Sequence, residues 1–459
     1  MKSDLSPSAA KPTLTVGADC FLSGIPASFL PVLKNELTIA NPKYTDAKKY
    51  GRWMGKKLKP FLYFYEEVAG GLRFPRGFAN QAILLCRRYL SGITPVIVDR
   101  RLSLPEIDFN FSGELRDYQL AAFNDIVNRE FGVLESGTGS GKTIIALAVI
   151  AHRRQPTLIL VHTKELLYQW AERVREFLGL EAGLIGDGHN EPGPVSVGIV
   201  NTVGKQLDML ADRFGQICVD ECHRVPATLF TDVVTSFSGR YSLGLSATAY
   251  RRDGLTNLIY FYLGDRCHRV NQATLHESGA VLKPEFIQRE TAFSYNYRGS
   301  YQNLMSALVK DEERNRQIVG DIVAETRREP GTILVVSDRV AHCEMIAKLL
   351  VAEGSAIKLA VLTGKLASDE RTAIVEAIHK GELSVLISTL QLIGEGFDCE
   401  GLRALFLTTP IKFSGRLLQV VGRILRPAVG KQPRVYDYVD QVGLLKKSAQ
   451  ARRLTYLEG

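Results

Sequence analysis

Phe131-Gly132-Val133-Leu134-Glu135-Ser136-Gly137-Thr138-Gly139-Ser140-Gly141-Lys142-Thr143-Ile144-Ile145-Ala146-Leu147 runs from an apolar β-like stretch, through small residues, into an apolar helix-like stretch. Strand, glycine-rich turn and helix in that order are the setting of a phosphate loop. The small residues let backbone N–H groups curl around an anion, and the helix N-terminus adds a favourable dipole. The spacing places Lys142 on the β- and γ-phosphates of a nucleotide, with Thr138, Gly139, Ser140 and Gly141 in the loop. The Thr143 hydroxyl is placed to bind magnesium. The strict pattern has Gly at position 136, where this chain has Ser.

Working outward, apolar runs alternate with amphipathic helical segments. The runs are Phe131–Leu134, Leu158–Val161, Val197–Val200, Ile217–Val219 and Tyr241–Leu245, and a second series is Ile333–Val336, Leu359–Leu362, Val385–Ile387 and Ala404–Leu407. Continuous apolar strands separated by helices imply parallel sheets covered on both faces. The fold class expected is α/β: two tandem doubly wound domains, 114–275 and 276–459, behind a small N-terminal α/β domain, 1–113. Three domains also suit a chain of 459 residues at roughly 150 residues per domain. In the N-terminal part, residues 1–24 read as loose, Asn35–Ala40 as a strand and Thr45–Trp53 as a helix. Pro60–Glu67 and Gly71–Phe74 read as a hairpin around Ala69-Gly70-Gly71, Phe78–Leu90 as a helix and Pro95–Asp99 as a strand.

With 45% hydrophobic and 23% charged residues the composition is that of an ordinary globular protein. No apolar run approaches the ~20 residues of a membrane helix, and the start lacks a secretory pattern. The seven cysteines form no CxxC pair, so neither a zinc site nor a disulfide framework is expected, and a reducing cytoplasm is the natural compartment. Residues 1–113 carry a net charge of +7, against +1 for all the rest. A basic surface confined to one domain suits a polyanionic partner, and equally a solvated lysine-rich face.

Asp220-Glu221-Cys222-His223 follows the apolar run Ile217–Val219. Two carboxylates at a strand's C-terminal end can divide their labour: Asp220 holds the magnesium shell, and Glu221 orients and deprotonates an attacking water. Cys222 and His223 have no second pair with which to complete a zinc site. Gln419, Arg423 and Arg426 fall at i, i+4 and i+7, so one helical face presents an amide and two guanidiniums, a set suited to a γ-phosphate and its water. They belong to the second series of strands, which predicts an ATP site between the two domains.

Taken together, these segments resemble superfamily 2 helicases and translocases of the DEAH-like group, over about 114–459. Leu115-Arg116-Asp117-Tyr118-Gln119 looks like the adenine-sensing Q motif, and Ser136–Thr143 is similar to motif I. His162–Glu165 resembles motif Ia, Asn201-Thr202 motif Ib, Asp220–His223 motif II and Ser246-Ala247-Thr248 motif III. Val336–Asp338, Gly394–Asp398 and Gln419–Arg426 resemble motifs IV, V and VI. With Tyr250-Arg251-Arg252-Asp253 after motif III, the chain looks most like the XPB and phage UvsW branch, although XPB-type proteins carry Arg-Glu-Asp where this chain has Arg251-Arg252-Asp253.

The resemblance implies two RecA-like domains, ATP and Mg2+ as cofactors, adenine contact by Gln119, and coupling of hydrolysis to movement through motif III. It also implies DNA as partner, branched DNA as favoured substrate and 3′ to 5′ polarity. Thr163, Thr202 and Ser388 are then candidates for the strand backbone, although each residue type equally suits a cap or a turn. In the N-terminal domain Lys48, Lys49 and Arg52 interleave with aromatic residues, as backbone tracking with base stacking requires, whereas Phe61, Tyr63, Phe64 and Tyr65 read as core, because Leu62 and Phe64 alternate with Tyr63 and Tyr65 as in any half-buried strand. A nucleic-acid-gated ATP switch that recruits a nuclease or repair partner without unwinding is the alternative, and an RNA helicase a third.

Overall fold

The computed structural model describes residues 11–49, 51, 58–224, 227–247, 251, 253–354, 357–364, 366, 368–394, 401–411, 421 and 431–458. The chain divides into two compact units, one running to Val270 and one from Asn271 onward, with Gly137–Ser140 grouped in the second.

In the first unit the described strands build an eight-stranded sheet in the order His189–Glu191, Gly183–Gly186, Val195–Ile199, Thr157–Val161, Gln216–Val219, Tyr241–Ser246, Phe131–Ser136, Arg266–Val270. All neighbours pair in parallel except the terminal hairpin, Gly183–Gly186 with His189–Glu191. Successive residues of one strand feed opposite cores, because side chains alternate across a sheet. Leu134, Ile159 and Val161 pack on one face with Ile145, Trp170 and Val174. Val133, Leu158 and Leu160 pack on the other with Phe230, Phe237 and Ile259. The apolar runs are continuous for that reason, and the sheet is doubly wound. The second unit holds a six-stranded, all-parallel sheet, in the order Glu285–Glu290, Arg434–Val439, Leu402–Leu407, Thr332–Ser337, Val385–Thr389, Leu359–Leu362.

The N-terminal region corrects several expectations. Residues 13–23 are not loose: Thr13–Val16 and Asp19–Ser23 pair antiparallel and occupy the middle of a five-stranded sheet, with Leu14, Cys20 and Leu22 fully buried. The Ser, Pro and Ala bias stops where this alternation begins. Asn35–Ala40 is divided between a helix, Leu30–Glu36, and a strand, Thr38–Ala40. The hairpin at Ala69-Gly70 joins Glu66–Val68 to Gly71–Pro75, while Phe61–Tyr63 pairs with Thr38–Ala40 in a separate two-stranded sheet. The helix expected over 45–53 is described as Pro42–Lys49, and positions 52 and 53 lie outside the described residues.

The N-terminal core runs on into the first parallel sheet, since Phe131 and Phe261 belong to the same buried cluster as Leu14, Phe74 and Phe78. Arg76 and Arg101 lie with their guanidinium carbons each 5.2 Å from the centre of the Phe131 ring. Arg76 Nη1 donates to Gly239 O at 2.8 Å, and Gln81 Nε2 donates to the Asp265 carboxylate at 3.0 Å. Gly77 is required by this junction, because a Cβ there would run into the backbone at Gly264.

Candidate active site

The phosphate-loop strand and the Gln216–Val219 strand flank Tyr241–Ser246. Neighbouring strands lie about 4.8 Å apart, so their carboxyl ends are separated by about 10 Å. Ligands of open α/β sheets bind beyond such ends. Gly139 and Gly141 have φ of 86° and 78°, the left-handed turn that carries the loop into the helix Lys142–Arg153. Gly141 is doubly constrained, because a Cβ there would strike the Gln119 amide nitrogen. Gln119 is buried, and its Oε1 accepts from Arg116 N at 3.0 Å. Gln119 therefore lies against the phosphate loop. Lys142 Nζ donates to Ser136 O at 2.9 Å. Thr143 occupies the second position of the helix.

Asp220 is held from two sides. Trp170 Nε1 donates to its Oδ2 at 2.8 Å, and Glu221 N donates to its Oδ1 at 2.9 Å. Burial and the neighbouring Glu221 carboxylate push Asp220 up to about 6, against the pull of Trp170 and Lys142. Burial also pushes Glu221 upward, but Lys142, His223, Arg224 and His162 outweigh it and hold the carboxyl below its ordinary value. Glu221 adopts a left-handed backbone with φ of 47°, which is uncommon for a non-glycine residue and concentrates at functional sites. His223 Nδ1 lies 3.3 Å from Glu221 Oε2 and 2.9 Å from Ser246 Oγ. The Asp220–His223 turn and Ser246 thus meet through one imidazole, which burial holds below its ordinary value. Cys222 is a core residue. Arg251 is buried and paired with Asp253 at 2.6 Å.

The residues fit a magnesium nucleotide. A fixed, buried carboxylate, a helix-start hydroxyl and an ammonium resting on its own loop converge on one sheet edge. Trp170 is the member that sequence reasoning missed. Its spacing with Leu167, Val174 and Leu178 marks only an apolar helix face. The available signal was that a buried indole N–H needs a partner.

The nucleic-acid candidates divide. Thr163 caps the helix Lys164–Leu178, its Oγ1 accepting from Leu166 N at 3.3 Å. Thr202 lies in the short helix Val200–Val203, half-buried at the same sheet edge. Ser388 is fully buried, and its hydroxyl donates to Leu362 O at 3.0 Å inside the second sheet. Lys48 and Lys49 are exposed at the end of Pro42–Lys49. Arg52, Gln419, Arg423 and Arg426 lie outside the described residues, as does motif V beyond Gly394.

Residues 112–251 match the family described as type III restriction enzyme, res subunit, and residues 314–428 match the helicase conserved C-terminal domain. The chain belongs to the superfamily 2 helicases. As a helicase it is an ATP-hydrolysing enzyme. It is 29% identical to "Probable helicase D10" of Escherichia phage T5 over 71% of this chain and 71% of that one. It is 24% identical to "DNA 3'-5' translocase XPB2" of Sulfurisphaera tokodaii over 68% and 79%. It is also 24% identical to "ATP-dependent DNA helicase uvsW" of Enterobacteria phage T4, over 90% and 86%. Among solved structures, S. cerevisiae Dbp5 bound to RNA and ADP BeF3 aligns with a TM-score of 0.55 at 14% identity, over 74% of this helicase and 87% of that chain. That likeness concerns the fold alone: RecA-like parallel sheets.

Proposed function

We propose that this helicase is an ATP-dependent DNA helicase or translocase acting on duplex or branched DNA. The observation that carries the reading is the convergence of Lys142, Asp220 and Glu221 on one sheet edge, with Gln119 against the phosphate loop. Lys142 exchanges the Ser136 carbonyl for the β- and γ-phosphates, and the Gln119 amide reads the adenine edge. Glu221, kept ionised by the basic side chains around it, Lys142 first, takes the proton of the attacking water. Asp220 and Thr143 would hold a magnesium ion, which supplies charge neutralisation at the phosphates. The i, i+4, i+7 spacing of Gln419, Arg423 and Arg426 suits them to the γ-phosphate and its water, where an arginine finger contributes roughly 10³–10⁵ in rate. Thr163 and Thr202 contact the strand backbone from the first sheet, and Lys48, Lys49 and Arg52 add a duplex contact from the N-terminal domain.

DNA as substrate is supported by the translocase and DNA helicase among the relatives and by the +7 charge of residues 1–113. The test compares ATP hydrolysis with no nucleic acid, duplex DNA, forked DNA and RNA, and follows strand displacement on the fork. Forked DNA should stimulate most and be unwound. Stimulation by RNA alone would overturn the DNA substrate, and stimulation by DNA without displacement or translocation would make the protein a switch.

A further inference from the structure

Phe61 and Tyr63 are 47% and 53% exposed, on a strand whose alternate residues face inward. Phe64, just after it, packs against Phe261 and Tyr262 with ring centroids 5.3 and 6.4 Å away. The expectation that this aromatic run is core therefore holds for Phe64 and fails for Phe61 and Tyr63, which occupy the outer face. Their cross-strand partners are Ala40 and Thr38, residues too small to cover a ring. Tyr65 continues the file, its ring edge-on to Tyr63 at 5.8 Å, with Lys34 Nζ 5.9 Å from its centre. Lys59 is exposed at the head of the strand, and Asn41, which precedes the helix bearing Lys43, Lys48 and Lys49, bonds to Lys59 O at 2.8 Å.

We propose that Phe61 and Tyr63 form a stacking platform for unpaired bases of single-stranded DNA at a fork or junction, a reading that rests on the DNA substrate proposed above. Two residues apart on an antiparallel strand are about 6.8 Å apart, close to twice the 3.4 Å spacing of bases along a DNA strand, so one base fits between the two rings. Aromatic faces with a lysine border are the recurring chemistry of sequence-tolerant single-strand binding. The border favours this occupant over an apolar protein segment, which gains nothing from lysines. The face belongs to the N-terminal part of the first unit.

The test uses the full chain and a forked DNA with 2-aminopurine in its single-stranded arms. Phe61→Ser with Tyr63→Ser should lower fork affinity on the order of tenfold for each ring removed and abolish the quenching of 2-aminopurine. The salt slope should stay at its wild-type value, since stacking releases no counterions, whereas Lys48→Glu with Lys49→Glu should flatten it. Tyr63→Phe should restore affinity, and circular dichroism of each variant checks the fold. Wild-type fork affinity and quenching in the double serine variant would overturn the platform. So would that result joined to loss of a wild-type self-association, which would make the face a contact between copies. Absence of any fork stimulation of the wild-type ATPase would instead remove the DNA substrate itself, a distinct failure.

Discussion

Asp220 and Glu221 are adjacent in the chain and differ in how they bind protons. Glu221 sits among four basic side chains and stays ionised, the state a general base needs. Glu221→Gln should keep nucleotide affinity and lower turnover by about 10²–10⁴, read from equilibrium binding beside steady-state hydrolysis; near-normal turnover would remove Glu221 from the role. Asp220, by contrast, gains a proton as pH falls through about 6, and a protonated carboxyl is a poor magnesium ligand. Magnesium affinity should therefore decline below that pH. The Trp170 N–H stabilises the ionised form, and a hydrogen bond to a charged group is worth about 1.5–3 kcal/mol. At 1.36 kcal/mol per unit, Trp170→Phe should move the acid limb of magnesium or manganese binding upward by about one to two pH units. An unmoved limb in a folded variant would leave the indole a packing residue. The carboxylates were legible in the sequence because adjacent acids after an apolar strand are conspicuous. Trp170 was not, since its contact joins positions 50 residues apart and its helix spacing reads only as core.

At the scale of elements, the central strands were legible and the peripheral ones were not. Leu158–Val161 and Ile333–Val336 are covered on both sides, so each is an unbroken apolar run. Arg266–Val270 and Glu285–Glu290 are edge strands with charged, partly exposed positions, and they lie on either side of the expected domain boundary at 275. The phosphate loop, the DECH turn and Ser246 lie at the ends of three neighbouring strands. The Tyr241–Ser246 strand can therefore feel the state of the neighbouring Gln216–Val219 strand through His223, which contacts Glu221 and Ser246. Ser246→Ala removes that contact while leaving Lys142, Asp220 and Glu221 in place. Strand displacement should fall at least tenfold while DNA-stimulated hydrolysis changes only a few-fold, measured on the same fork. Equal losses in both assays would place Ser246 in the chemistry and not in its coupling to movement.

For the whole molecule, composition marked the first 113 residues as distinct by charge, but charge says nothing of how a segment is packed. Phe131 and Phe261, from the parallel-sheet part, lie in one buried cluster with Phe74 and Phe78 from the N-terminal part, and the first 136 residues group with 141–270 in one compact unit. Burying one such side chain contributes about 1.5–3 kcal/mol, and a domain's whole stability is about 5–15 kcal/mol. In a fragment without the N-terminal part Phe131 and Phe261 would be exposed, a loss of about 3–6 kcal/mol, and Gly239 and Asp265 would lose Arg76 and Gln81, together a large share of that margin. A fragment of residues 114–270 should therefore aggregate or melt far below the intact chain, whereas residues 1–270 should fold cooperatively and bind nucleotide. On the proposed completion of the site by Gln419, Arg423 and Arg426, the 1–270 fragment should hydrolyse ATP slower than the full chain by at least the ~10³ attributed to an arginine finger. Calorimetry and nucleotide titration of the two fragments check the first half, and single-turnover hydrolysis the second. A stable 114–270 fragment would show that the shared core adds little. A 1–270 fragment with full DNA-stimulated turnover would show that the second unit supplies no group to the chemistry.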